Sequence, residues 1–70
     1  MNKPRWFKSS INMWIGEVEE GAYFIEKNNK KWYCYFICNT CNIRHEISIY
    51  KYLNDAKRQA NEHYNMVVIR

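Results

Sequence analysis

Glycine and proline are scarce in this 70-residue chain, with two and one respectively. That excludes collagen-like and linker-like classes, and the composition is not that of a disordered segment. No stretch approaches the ~18 apolar residues that a membrane-crossing helix requires. The opening "MNKPRWFKSSINMW" carries charge but lacks the apolar core of a secretory signal, so a cytoplasmic setting is expected, where thiols stay reduced. There is no glycine-rich phosphate loop and no defensible Ser/His/Asp arrangement. The three cysteines are an odd number, which argues against a complete disulfide framework. A continuous basic stripe is missing too. The net charge is +4, but the basic residues are dispersed and Glu17, Glu19 and Glu20 interrupt them. This balance permits an acidic partner without demanding one.

What the chain does have is aromatic side chains, 17% of its residues. A domain this small buries only about 60% of the surface its unfolded chain exposes. Large rings each bury roughly 150–250 Å², so an aromatic core can replace a covalent staple. The reading is one α+β domain over residues 11–70, preceded by a flexible arm, 1–10, with Trp6 and Phe7 as docking points.

Strands are expected at 11–18, 22–27, 31–38 and 43–50, from their β-formers and period-two alternation. Turns fall at Glu19-Glu20-Gly21, at Asn28-Asn29-Lys30, where Asn tolerates positive φ, and at Asn39-Thr40. The stretch 52–64 differs. Leu53, Ala56, Ala60 and Tyr64 form a helical stripe, and Arg58–Glu62 is an i,i+4 charge pair. Asn65 ends the helix, and "MVVI" reads as strand. The fold class is thus a three- to four-stranded antiparallel sheet with one C-terminal helix packed on one face.

"CYFICNTCNIRH", residues 34–45, holds all three cysteines and one of the two histidines. On a hairpin, Trp32, Cys34, Phe36, Ile43, His45 and Ile47 share the face that receives the helix. A two-residue turn pairs Cys34 with His45, and a four-residue loop pairs Phe36 with His45. Cys34 and Cys38 lie ~13 Å apart along a straight strand at ~3.3 Å per residue. They cannot share a zinc ion with bonds of about 2.3 Å. The zinc alternative, a zinc-ribbon-like hairpin, is therefore Cys38, Cys41, His45 and His63, with His45 up the strand and His63 at the far end of the helix. A redox C-x-x-C belongs at a helix N-terminus, not in a turn. A Cys34–His45 nucleophile pair would lie inside the core without a cleft. The preferred reading is an ordinary hairpin with no cofactor and no catalytic residue.

The opposite face carries Tyr33, Tyr35, Ile37 and Arg44, near Lys30, Lys31 and Lys51. Aromatic rings among basic side chains can stack bases and hold phosphates. A covering partner, or a second copy of the chain, is the stronger expectation, since exposed apolar faces mark interfaces. The tail Met66, Val67, Val68 and Ile69 is expected at a homodimer interface with this face.

Leu53, Ala56, Lys57, Ala60, His63 and Tyr64, preceded by Trp14, Gly16 and the Tyr23/Ile25 strand, resemble small phage- and prophage-encoded accessory proteins. Those proteins carry short strands and a helix of the form Ser/Thr-Leu-x-x-Ala-Lys-x-x-Ala-x-x-His/Asp-Tyr. Tyr52 stands where they have Ser or Thr. The resemblance implies a βββα-type fold and a non-enzymatic role against a host target, such as inhibition of a defence or nucleic-acid-handling complex. It carries over no catalytic residue.

Overall fold

The computed structural model describes residues 3–40 and 42–68. Five strands run in sequence order across one antiparallel sheet: β1 Arg5–Ser10, β2 Met13–Val18, β3 Gly21–Asn28, β4 Lys31–Cys38 and β5 Arg44–Tyr50. A helix, α1 Leu53–His63, follows and crosses β3, β4 and β5 on one face. The α+β class and the single C-terminal helix match the sequence reading, and the strand count is higher. The additional strand is β1, inside the segment expected to be an arm. It pairs with β2 from Arg5↔Glu17 to Ser10↔Met13, and the turn between them takes Ile11 and Asn12 out of the first expected strand, 11–18.

The hairpin between β3 and β4 is tight because Asn29 and Lys30 both accept positive φ, 53° and 63°. That is the conformation whose twist matches the flanking strands. Gly21 is required by close approach instead. A Cβ there would lie 2.1 Å from the Ile37 carbonyl oxygen. Gly16 provides a seat for Trp6, whose ring would touch an added Cβ at 2.9 Å. The Trp6 indole N–H then donates to Asn61 Oδ1 on α1 at 3.3 Å.

The core lies between sheet and helix: Tyr23, Ile25, Cys34 and Phe36 from β3 and β4, and Ala56, Ala60 and Tyr64 from the helical segment. The two alanines let the helix sit close to the rings. Lys57, beside them, places its ammonium 3.6 Å from the centroid of Trp14. Tyr64 reaches over the edge to donate to Glu20 at 2.8 Å.

Three expectations need correction. The "MVV" tail is not a strand. The helix widens into a π-helical turn, Tyr64–Val68, and Val68 packs on the core. The Asn65 side chain donates to the Asn61 carbonyl at 2.8 Å, the acceptor that a regular α-turn assigns to the Asn65 backbone. Ile69 lies outside the described residues. Second, Ile43 does not join the helix-facing row; it precedes β5 and is 55% exposed. Third, the period-two alternation over 43–50 predicts that Ile43, His45, Ile47 and Ile49 share one face, but a bulge between Cys34 and Tyr35 in the β4–β5 pairing shifts the register by one residue at Ile47. Ile47 still packs on the core, but Ile49 pairs with Tyr33 and is turned to the face away from the helix.

Candidate functional site

Alternation along the strands sorts the functional candidates onto two sides of the sheet. On the side without the helix, one row runs in register across four strands: Phe7↔Ile15, Ile15↔Phe24, Phe24↔Tyr35. A second row pairs Met13 with Glu26, Glu26 with Tyr33 and Tyr33 with Ile49. Among the described residues, the helix packs on the other side of the sheet. Phe7 is 41% exposed and Ile49 52%. The rest of the first row is shielded by its own neighbours, as strands at ~4.8 Å spacing bring ring against ring.

The polar groups on this face are of both signs. Arg5 pairs with Glu17 at 3.4 Å at one corner, and Arg44 pairs with Glu46 at the other. Tyr35 lies between Phe24, stacked at 5.3 Å and 15° from the β3 side, and the Arg44 guanidinium, 3.7 Å from its centroid on the β5 side. It is only 8% exposed, and burial raises its hydroxyl above its ordinary range. Lys30 and Lys31 lie at the β3–β4 turn, at the opposite end of β4 from the Ile37↔Arg44 pair. That separation is roughly 20 Å for six strand residues, so the residues proposed for nucleic acid do not gather at one point.

The other candidate is a pocket at the end of the helix. Register decides its membership. β4 and β5 pair as Phe36↔His45 and Ile37↔Arg44, the register of the longer loop. His45 therefore sits opposite Phe36, while Cys34 pairs with Ser48. Phe36, Cys38, His45, His63, Val67 and Val68 line one cavity of about 240 Å³. His63 Nδ1 and the Tyr23 hydroxyl share a hydrogen bond of 2.7 Å. Burial, and then the neighbouring His45, lowers the His63 pKa. Cys38 Sγ lies 3.0 Å from the Thr40 hydroxyl. Cys41, the fourth member of the sequence-derived ligand set, lies outside the described residues. Among the described residues, no group of three or more His, Cys, Asp or Glu side chains is placed so that it could hold a metal ion.

Cys34 is fully buried in the core beside Ile25, its partner across the β3–β4 pairing, and desolvation pushes its thiol up to about 12. A thiol held protonated is not a nucleophile, so a Cys34–His45 pair has neither the register nor the ionisation it needs. The expected dimer surface is also divided. Met66 and Val67 are exposed on the helix side, whereas Tyr33 and Tyr35 face the other way, with the sheet between them.

Comparison with known proteins gives no match to a family model, to a curated protein or to a solved structure. No helix among the described residues is long and apolar enough to cross a membrane.

Proposed function

We propose that this chain is a small non-enzymatic binding protein that docks a host protein on the open face of its sheet and modulates it by occupying that partner's surface. The observation that carries this reading is the uncovered in-register row Phe7, Ile15, Phe24, Tyr35, with Tyr33 and Ile49 beside it. Five strands of about six residues give a footprint of roughly 24 by 20 Å, on the scale of functional apolar patches on small proteins. Apolar centre and paired charges at the corners are the anatomy of a protein-binding patch. Inhibition of a host complex in the host cytoplasm is the role that fits both this surface and the phage-like helix pattern.

Direct nucleic-acid binding through Lys30, Lys31, Tyr33, Tyr35 and Arg44 is the less favoured reading. Stacking a base takes a free ring face, and Tyr35 is occupied on both sides. Glu17, Glu26 and Glu46 share the surface and repel phosphate.

The test compares capture of bacterial lysate proteins by the wild-type chain and by a Phe7→Glu/Ile49→Glu variant. Both positions are solvent-exposed, so melting should be nearly unchanged. Loss of a specific captured protein in the variant supports the reading. Equal capture by both chains removes it. Micromolar oligonucleotide binding that falls steeply with salt would favour the nucleic-acid alternative.

A further inference from the structure

The strands run up and down in sequence order, so alternate connections leave the sheet at the same end. The β1–β2 turn at Ile11-Asn12, the β3–β4 turn at Asn29-Lys30 and the exit of β5 into Lys51-Tyr52 share one end. The pairings fix this. The Lys27 backbone N–H donates to the Asn12 carbonyl at 2.8 Å, and Lys27, Trp32 and Tyr50 are partners across three strands. Four strand spacings make this end about 19 Å wide. Charge is sorted along the strands as well. Of the chain's seven lysines, Lys27, Lys30, Lys31 and Lys51 lie at this end, and Lys8 and Lys57 flank Trp14 two residues back. Among the described residues, no ion pair takes up any of these six. Their acidic neighbours are Glu26 and Asp55, and Asp55 is held by Arg58 at 3.1 Å. At the opposite end Arg5 and Arg44 are each paired with a glutamate, and Glu19 and Glu20 form the turn. Two apolar side chains project among the lysines: Ile11, at the tip of its turn, is 79% exposed and Tyr52 60%. Lys51 lies 5.6 Å from the Tyr52 ring, and Lys27 the same distance from half-buried Trp32.

We propose that this lysine-rich end of the sheet seats on the anionic surface of a lipid bilayer, with Ile11 and Tyr52 entering the headgroup layer and the lysines meeting lipid phosphates. Aromatic rings with a polar tip settle at that depth. Lysine stems lie along apolar surface while their ammonium groups stay among the headgroups. Apolar insertion and attraction to anionic lipid add together in such contacts. One exposed isoleucine is ordinary on a protein surface; here it stands within a rim of unpaired cations. The same lysines could hold the phosphates of a nucleic acid, but that partner has no use for an aliphatic tip, and Ile11 therefore favours the bilayer. The chain lies on the surface, since no helix among the described residues is long and apolar enough to cross it. The contact uses the end of the sheet, not the Phe7–Tyr35 row, so it does not rest on the open-face reading.

The experiment measures co-sedimentation of the full-length chain with vesicles of phosphatidylcholine containing about a third phosphatidylglycerol, against vesicles of phosphatidylcholine alone. Binding to the anionic vesicles only, weakened by salt, is expected. Lys27→Gln/Lys51→Gln should lower the partition coefficient about 30-fold, roughly fivefold for each lysine. Ile11→Ser should lower it about tenfold, and Phe7→Ser, in the open-face row, should leave it unchanged. All these positions are exposed, so circular dichroism melts should show each variant folded. A labelled oligonucleotide is titrated in parallel. No binding to anionic vesicles at low salt, or equal binding by the wild-type and Ile11→Ser chains, overturns the proposal. So does a loss in Phe7→Ser as large as that in Ile11→Ser. Oligonucleotide binding that needs the lysines, with vesicle binding indifferent to Ile11, assigns this end to nucleic acid instead.

Discussion

Tyr23 and His63, 40 residues apart in the chain, share a hydrogen bond of 2.7 Å that joins the middle of the sheet to the last residue of the helix. Tyr23 is fully buried, so its hydroxyl has been withdrawn from water and this bond compensates. Replacing it by phenylalanine keeps the ring packing on Phe36 and Tyr64 but leaves Nδ1 without that partner. A loss of about 1–2 kcal/mol is expected, read as a lowered urea midpoint with an unchanged slope.

The two glycines separate two kinds of crowding. Gly21→Ala places a methyl 2.1 Å from a backbone oxygen of β4, and the β3–β4 ladder would have to part to admit it. A loss of about 3 kcal/mol or more is expected. Gly16→Ala first meets the Trp6 ring, a side chain that can slide, and about 1 kcal/mol is expected. Chemical denaturation of the two variants checks the order; equal losses would contradict it.

Lys57 has its ammonium over Trp14 and is partly desolvated, which lowers its pKa. Lys57→Ala removes both the cation–π contact and the stem that covers the indole, and about 1 kcal/mol should be lost. Lys57→Arg should keep most of it. A shift of tryptophan emission in the alanine variant, absent in the arginine variant, is the accompanying signal.

Alkaline pH should destabilise the fold. Burial raises the Cys34 thiol from its ordinary 9.0 to about 12. The native chain therefore holds a proton that the unfolded chain releases between these values. Stability is fully present below pH 9 and falls as pH rises toward 12. Tyr23, also raised by burial, acts in the same direction above pH 10. Denaturation midpoints at pH 8 and pH 10.5 should differ, and Cys34→Ala should reduce the difference. In the native chain at pH 8, Cys34 should resist alkylation.

The central strands and the helix were legible because their burial is periodic. Tyr23, Ile25, Cys34 and Phe36 alternate with side chains of the other face, and Ala56 and Ala60 repeat along one helical stripe. β1 was not legible. Only Trp6 among its residues is even half-buried, so an edge strand that presents charge and serine to solvent looks like an arm. The bulge at Ile47 leaves no mark in the sequence either. An unbroken alternation places Ile49 with the core, and one skipped pairing sends it to the open face. Of the candidate sites, the aromatic and basic residue types could be read from the sequence. The pocket lined by Phe36, His45 and His63 could not, because it depends on the β4–β5 register and on where α1 ends. The tail misled because "MVV" favours strand, and local propensity lost to the packing of Val68 beneath the helix end.

The unbroken strand order β1 to β5 bears on how the chain reaches its native state. Each strand finds its partner in the next segment, across a turn of a few residues, so loop-closure entropy stays low and the sheet can zip from hairpin to hairpin. Among the described residues, the side-chain hydrogen bonds that span most of the chain belong to the helical segment: Trp6 to Asn61, Glu20 to Tyr64 and Tyr23 to His63. Refolding should therefore be fast for a β-rich domain, with docking of the helix as the late event. Substitutions in the Asn29–Lys30 turn should slow folding, whereas those at Ala56 or Ala60 should mainly speed unfolding.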